Sequence, residues 1–272
     1  MAKRFTYYGN SFDSDAQSFI DAALITGATQ QSVLNTFVLM LKGTGTTNSS
    51  DLWSKIYALY PYCPIDGSTA NATAYSYNLK NPATFQVAWT GFVSGDYTVN
   101  GVIGGSGKYG DTNLNILSNL PSMEFGIDSY TRTQNTSLQV EMGASKSVLP
   151  YDGGLIYPYG TVSVGYTYVN KFVTATLQTT RTGLLSAQYD GTNSDKYRNG
   201  VSFSTTAQTS AVRQNLNFII HARNFGGVIN ANSTKSNAGF SIRQAFDTNE
   251  MADFFEAWDY YQTNIISGGR NV

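Results

Sequence analysis

The sequence predicts a mainly β protein, an antiparallel sandwich or barrel flanked by helices at both ends. Three observations carry this. Apolar residues recur with a period of about 3.6 up to residue 60 and again from Asp247. From about Ala70 the period changes to 2. The alternating runs are separated by Gly- and Asn-rich turns with no helix between them, which argues against a parallel α/β sheet. A length of 272 residues suits one large β domain. Residues 1–69 read as an N-terminal arm and helical preface. Residues 70–272 read as the β-sandwich domain, including a C-terminal helix over 247–267.

Taken in order, Asp13 or Ser14 caps a first helix with Ala16, Phe19, Ile20, Ala23 and Leu24 on one face, ending near Gly27. Thr29 caps a second, with a Val33-Leu34-Phe37-Val38-Leu41 stripe and Gly43 as its left-handed stop. Asp51 opens a third amphipathic segment that Pro61, lacking an N–H, must end at Tyr60. Strands follow. Phe85-Val87-Trp89, Leu138-Val140-Met142, Val162-Val164-Tyr166-Tyr168, Val173-Ala175-Leu177 and Phe218-Ile220-Ala222 each alternate with polar or small residues. Turns are expected at Gly101 to Gly110, Asp152-Gly153-Gly154, Asp190-Gly191 and Asn199-Gly200. Asp247 and Glu250 make a capping box for a last helix whose stripe runs from Met251 through Phe254, Trp258 and Tyr261 to Ile265, stopping at Gly268-Gly269.

Composition narrows the function classes. Charged residues are 13% of the chain, about half the usual share, and the formal charge is -1, so there is no basic footprint for nucleic acid. No apolar run approaches the ~20 residues that cross a bilayer, so no membrane insertion is expected. The first residues lack the apolar stretch of a signal peptide, which implies synthesis in a cytoplasm. Cys63 is the single cysteine, so no intrachain disulfide forms.

Catalysis is limited by what the chain contains. His221 is the sole histidine, so any Ser-His-Asp or Cys-His arrangement must use it and a metal site could have only one imidazole. Alternation puts it opposite Phe218 and Ile220, as a structural or surface residue. Glycoside hydrolysis needs two carboxylates across a cleft. Glu250 and Glu256 fall on the last helix, leaving Glu124 and Glu141 with aspartates such as Asp128, without the E-x-D-x-x-E spacing of sandwich-fold glucanases. No cofactor is expected. The oxygens of Asp190 to Asp195 would suit Ca²⁺, but a hairpin turn accounts for the same residues. The Gly104-Gly105-Ser106-Gly107 run lacks the Lys and βαβ context of a phosphate loop. Nineteen tyrosines and three tryptophans on a weakly charged chain suit sugar faces and protein interfaces equally.

Several short motifs, in this order, resemble virion proteins of tailed bacteriophages that infect Bacteroidetes-type hosts. They are Trp53 with Tyr60-Pro61, Asn78-Leu79-Lys80-Asn81-Pro82, Tyr109-Gly110-Asp111-Thr112-Asn113-Leu114-Asn115, Tyr197-Arg198-Asn199-Gly200, and Phe240-Ser241-Ile242-Arg243 with Arg270-Asn271-Val272. The resemblance implies a jelly-roll sandwich similar to concanavalin-like and laminin-G-like lectins. It also implies a non-enzymatic structural role on a virion, as capsid decoration, head fibre or tail fibre, with self-association, virion-protein partners and contact with host-surface glycans. With few residues ahead of the first helix, a decoration or short head fibre is favoured over a long tail fibre. The alternatives are a virion-associated glycan-degrading enzyme on the same fold and a bacterial carbohydrate-binding module. Tyr109, Asp111 and Asn113, with Trp89, are the candidate ligand contacts, and a structural turn is the alternative reading of the Tyr109 to Asn115 stretch.

Overall fold

The computed structural model describes residues 11–44, 50–133, 139–157, 164–165, 167–172, 176–177 and 182–272. Leu138, Val162, Tyr166, Val173 and Ala175, parts of the expected strands, lie outside them. The chain begins with helices α1 (Ser14–Ala23) and α2 (Ala28–Leu41), then strand β1 (Ile56–Tyr60) and a short helix α3 (Ala72–Ser76). Strands β2 (Ala88–Thr90), β3 (Tyr97–Thr98), β4 (Gly101–Ile103) and β5 (Tyr109–Asn115) lead to helix α4 (Ile116–Asn119). Next come β6 (Phe125–Thr131), β7 (Met142–Ser145), β8 (Gly153–Ile156), β9 (Val164–Gly165), β10 (Tyr168–Asn170) and β11 (Thr176–Leu177). The last strands are β12 (Gly183–Tyr189), β13 (Asn193–Arg198), β14 (Val201–Ala207), β15 (Asn217–Ile220), β16 (Arg223–Phe225), β17 (Val228–Asn230) and β18 (Ser236–Gln244), and helix α5 (Thr248–Asn264) follows.

Two mainly antiparallel sheets form a sandwich. The first has the order β14-β13-β12-β6-β18-β4-β3, with β1 also paired to β18. The second runs β10-β8-β7-β15-β5-β2, and the β16–β17 hairpin joins it through a parallel pairing of β16 with β7. Alternation on β6 shows how the layers stack. Phe125 points between the sheets and meets Phe218 of β15 at 5.6 Å, whereas Tyr130 points to the other side and stacks on Trp258 of α5 at 6.1 Å. Helix α2 covers α5 in turn, with Phe37 5.3 Å from Trp258 and 4.8 Å from Tyr261. The result is three layers: second sheet, first sheet, paired helices. Each fully buried ring contributes roughly 1.5–3 kcal/mol.

The third expected helix is a strand. Only Trp53–Lys55 make a helical turn, and Ile56–Tyr60 pair antiparallel with β18, from Ile56 opposite Arg243 to Tyr60 opposite Phe240. Ile56, Ala58, Leu59 and Tyr60 are all buried, so neither period is legible in so short a run, and the β-forming Ile and Tyr side chains agree with the neighbour that decides the matter. The far edge of β1 is closed by the Asn78-Leu79-Lys80 stretch: Leu59 N donates to Asn78 Oδ1 at 2.9 Å, and Leu79 N donates to Leu59 O at 2.8 Å. An otherwise open edge is thereby satisfied.

Helix ends differ in detail. Asp13 does cap α1, but the helix stops at Leu24 in left-handed geometry (φ 55°) rather than at Gly27. Gly27 occupies the cap position of α2, placing Thr29 inside the first turn. The capping box of Asp247 and Glu250 forms as expected.

Ion pairs fill both interlayer spaces. Under the helices, Asp128 receives two hydrogen bonds from Arg243, each 2.9 Å, and a third from Ser241 Oγ at 2.5 Å. Between the sheets, Glu141 pairs with Lys235 at 3.1 Å and accepts hydrogen bonds from Ser233 Oγ and Asn237 Nδ2. All four charged side chains are fully buried.

Candidate functional site

A well-formed surface pocket lies on the side of the second sheet turned away from the core. Gly154 and Ile156 of β8 face inward, a Cβ on Gly154 lying 3.1 Å from the Phe125 ring, so Leu155 faces out. Its antiparallel partner on β10 is Tyr168. Leu155, Tyr168 and Val140 form a small hydrophobic cluster separate from the main core, and Tyr151, Tyr157 and Phe172 pack against it. All of these but Val140 line a pocket of about 360 Å³, closed on the remaining side by Arg223 and Phe225 of β16. This is near the low end of the roughly 300–1,000 Å³ of small-molecule sites.

The rings hold one another. Tyr151 lies 6.1 Å from Phe172 and 5.6 Å from Phe225, and Phe172 lies 5.7 Å from Tyr168. Arg223 and Phe225 share a strand face because they are two residues apart, and the guanidinium carbon sits 4.1 Å from the ring centroid. Arg223 Nε donates to Asn230 Oδ1 at 2.8 Å across the hairpin, which fixes the plane of the fork. Burial drives the Tyr168 phenol well above its ordinary pKa, so it stays a neutral hydroxyl at any physiological pH. The adjacent Asp152 carboxylate is buried and bound to Lys146 at 2.7 Å.

The residues expected from the sequence lie at the other end of this sheet and divide between its faces. Tyr109, Asp111 and Asn113 alternate with buried Gly110, Thr112 and Leu114 on β5 and so share the outer face. Trp89 pairs with Gly110 and lies over it on the inner side, where a Cβ on Gly110 would come within 3.0 Å of the indole. Its Nε1 donates to Ser76 Oγ at 3.0 Å. The Asp111 carboxylate accepts from Asn113 N at 2.8 Å and from Asn217 Nδ2 at 3.1 Å, and Asn113 Nδ2 donates to Gln86 O at 2.8 Å. These polar groups are engaged in holding the strand and its neighbours.

The carboxylates weighed for hydrolysis are not brought together. Asp128 and Glu141 are buried in the ion pairs described above, while Glu124 is exposed. Glu124 lines a second cleft, about 340 Å³, with Asp190, Asp247, Glu250 and Lys55. There Asp247 caps α5, Glu250 accepts from Asp247 N and pairs with Lys55, and Asp190 accepts from Thr192 N and Asn193 N. Asp190–Thr192 accordingly make the hairpin turn joining β12 to β13, and Asn193, Ser194 and Asp195 already lie on β13. Among the described residues no group of three His, Cys, Asp or Glu is arranged to hold a metal ion. His221 is fully buried against Trp89, Phe92 and Phe240, with neither ring nitrogen hydrogen-bonded. Simple alternation fails for it because β15 ends at Ile220 and His221 turns left-handed (φ 59°). Cys63 is buried, its thiol pushed up to about 12 by desolvation.

No protein-family model and no curated protein matches the chain. Similar solved structures exist. A sialidase carbohydrate-binding module (CBM40) of Ruminococcus gnavus, bound to α2,3-sialyllactose, is 13% identical over 56% of this chain and 93% of that one, with a TM-score of 0.40. Domain 4 of a GH43 extracellular arabinanase from Geobacillus stearothermophilus, in complex with arabinotriose, is 14% identical over 74% of this chain and 98% of that one, at 0.48. A mutant Trypanosoma rangeli sialidase displaying trans-sialidase activity is 10% identical over 86% of this chain but only 38% of that one, at 0.48. At these scores the likenesses carry no functional argument.

The sequence carried one signal for the pocket. Six aromatic residues fall between positions 151 and 172, a density that marks the region without saying which rings share a face. Arg223 and Phe225 had no signal, since only the parallel pairing of β16 with β7 brings them there.

Proposed function

We propose that the protein is a non-enzymatic glycan-binding component of a bacteriophage virion, a capsid decoration or fibre element built on a jelly-roll, concanavalin-like sandwich. The observation that supports it best is the outward pocket of Tyr151, Tyr168, Phe172 and Phe225, where rings are held by each other on a rigid sheet. Sugar C–H faces stack on such rings, while the Arg223 fork offers hydrogen bonds to ring substituents. The binding surface is preformed, so little ordering entropy opposes association. The engaged carboxylates favour binding over hydrolysis. The virion setting rests on the ordered motifs from Trp53 to Val272 and includes self-association and virion-protein partners.

A glycan array with the wild type, Tyr168→Ala and Phe172→Ala tests the binding role. Expected is selective binding by the wild type and loss of roughly tenfold or more in each variant, the value of one stacking ring. Absence of any glycan binding by the wild type refutes it. Immunogold electron microscopy of purified particles tests the setting: label on the particle supports it, and label confined to the host cell refutes it.

A further inference from the structure

Resting on the glycan-binding reading, we infer that the pocket selects sugars bearing a carboxylate, such as uronic acids, through Arg223. Among the described residues that line the pocket, Arg223 is the only formally charged one. Among the described residues no carboxylate pairs with it. Asp152, next to the pocket wall, is already neutralised by Lys146. One guanidinium nitrogen is committed to Asn230 and one face to Phe225. The Nη1 and Nη2 groups therefore remain as a planar pair of donors whose orientation is fixed before any ligand arrives. That fork matches two carboxylate oxygens, and it meets them beside apolar rings that weaken competition from water. A neutral sugar would satisfy the rings but leave the fork without an anion. Tyr151 and Phe172 would then hold the pyranose face and Arg223 its acid group, which fixes the orientation of the ring.

The test uses the full chain and immobilised polygalacturonate, alginate, hyaluronan and polysialic acid. Each is compared with its carboxyl-reduced form at 150 mM salt, with a sulfated neutral polysaccharide alongside. The wild type is expected to bind at least one acidic polymer roughly tenfold more tightly than its reduced form, the worth of one charge-assisted hydrogen-bond pair. Arg223→Gln should bind both forms equally, at the level of the reduced one, and Arg223→Lys should keep only part of the preference. Circular dichroism confirms folding of each variant. Equal wild-type binding to acidic and reduced polymers, or a preference that survives in Arg223→Gln, overturns the inference while leaving the glycan-binding reading intact. Equal or tighter binding of the sulfated polymer overturns the carboxylate assignment. Failure of the wild type to bind any polymer, acidic or reduced, overturns both.

Discussion

Acidification should weaken this fold through a single imidazole. His221 is fully buried, its ring 5.5 Å from both Phe92 and Phe240 and 6.3 Å from Trp89, and neither nitrogen has a partner. Burial lowers its pKa from 6.5 to about 3, and the nearby Asp96 carboxylate, itself bound by Lys108 at 2.6 Å, offsets only part of that. The sign follows from proton counting. Above pH 6.5 the ring is neutral folded and unfolded, and pH has no leverage. Below it the unfolded chain takes up a proton that the folded chain refuses until about pH 3, so stability falls throughout that window. Between pH 7 and pH 5 the loss is about 2 kcal/mol, from 1.36 kcal/mol per pH step below the unfolded value. Urea unfolding at the two pH values measures it directly, and His221→Phe should shrink the pH-dependent loss by about that amount whatever its own stability. Because the chain has one histidine, its imidazole NMR signal is unambiguous and should not titrate between pH 8 and 4.5. A midpoint near 6.5, or equal pH dependence in the variant, refutes the reasoning.

Three further outcomes are expected from urea denaturation of single variants. Asp128→Asn leaves the buried Arg243 guanidinium without its counter-charge and should cost about 3–5 kcal/mol, with part recovered when Arg243→Met removes the orphaned charge. Asn78→Ala strands the buried N–H of Leu59 on the outer edge of β1 and should cost about 1–3 kcal/mol; an unchanged midpoint would mean water replaces the amide. Gly239→Ala places a Cβ 2.4 Å from the Trp258 ring and 2.7 Å from Tyr60 O, so it should cost about 1–3 kcal/mol and alter the near-ultraviolet dichroism of Trp258.

The sequence by itself determined the kind of secondary structure wherever an element exposes one side and buries the other. Helix α5 shows this: its stripe and its capping box are local properties that no distant contact needed to settle, although it ends at Asn264 with Ile265 as its cap, short of the expected Gly268-Gly269 stop. The existence of α1 and α2, though not the expected Gly27 stop or Thr29 cap, and the Asn199-Gly200 turn between β13 and β14 were legible in the same way. Tertiary structure decided the rest, wherever both sides of a segment are covered. Ile56–Tyr60 is apolar all round, so only β18 alongside makes it a strand. His221 follows a strand, and one left-handed residue turned its ring into the core. The pocket is the sharpest case, because Leu155 and Tyr168 sit on paired neighbouring strands while Arg223 reaches them only through the pairing of β16 with β7, far away in the chain. Period and capping are written within a few residues, whereas which outward faces become neighbours is set by long-range pairing.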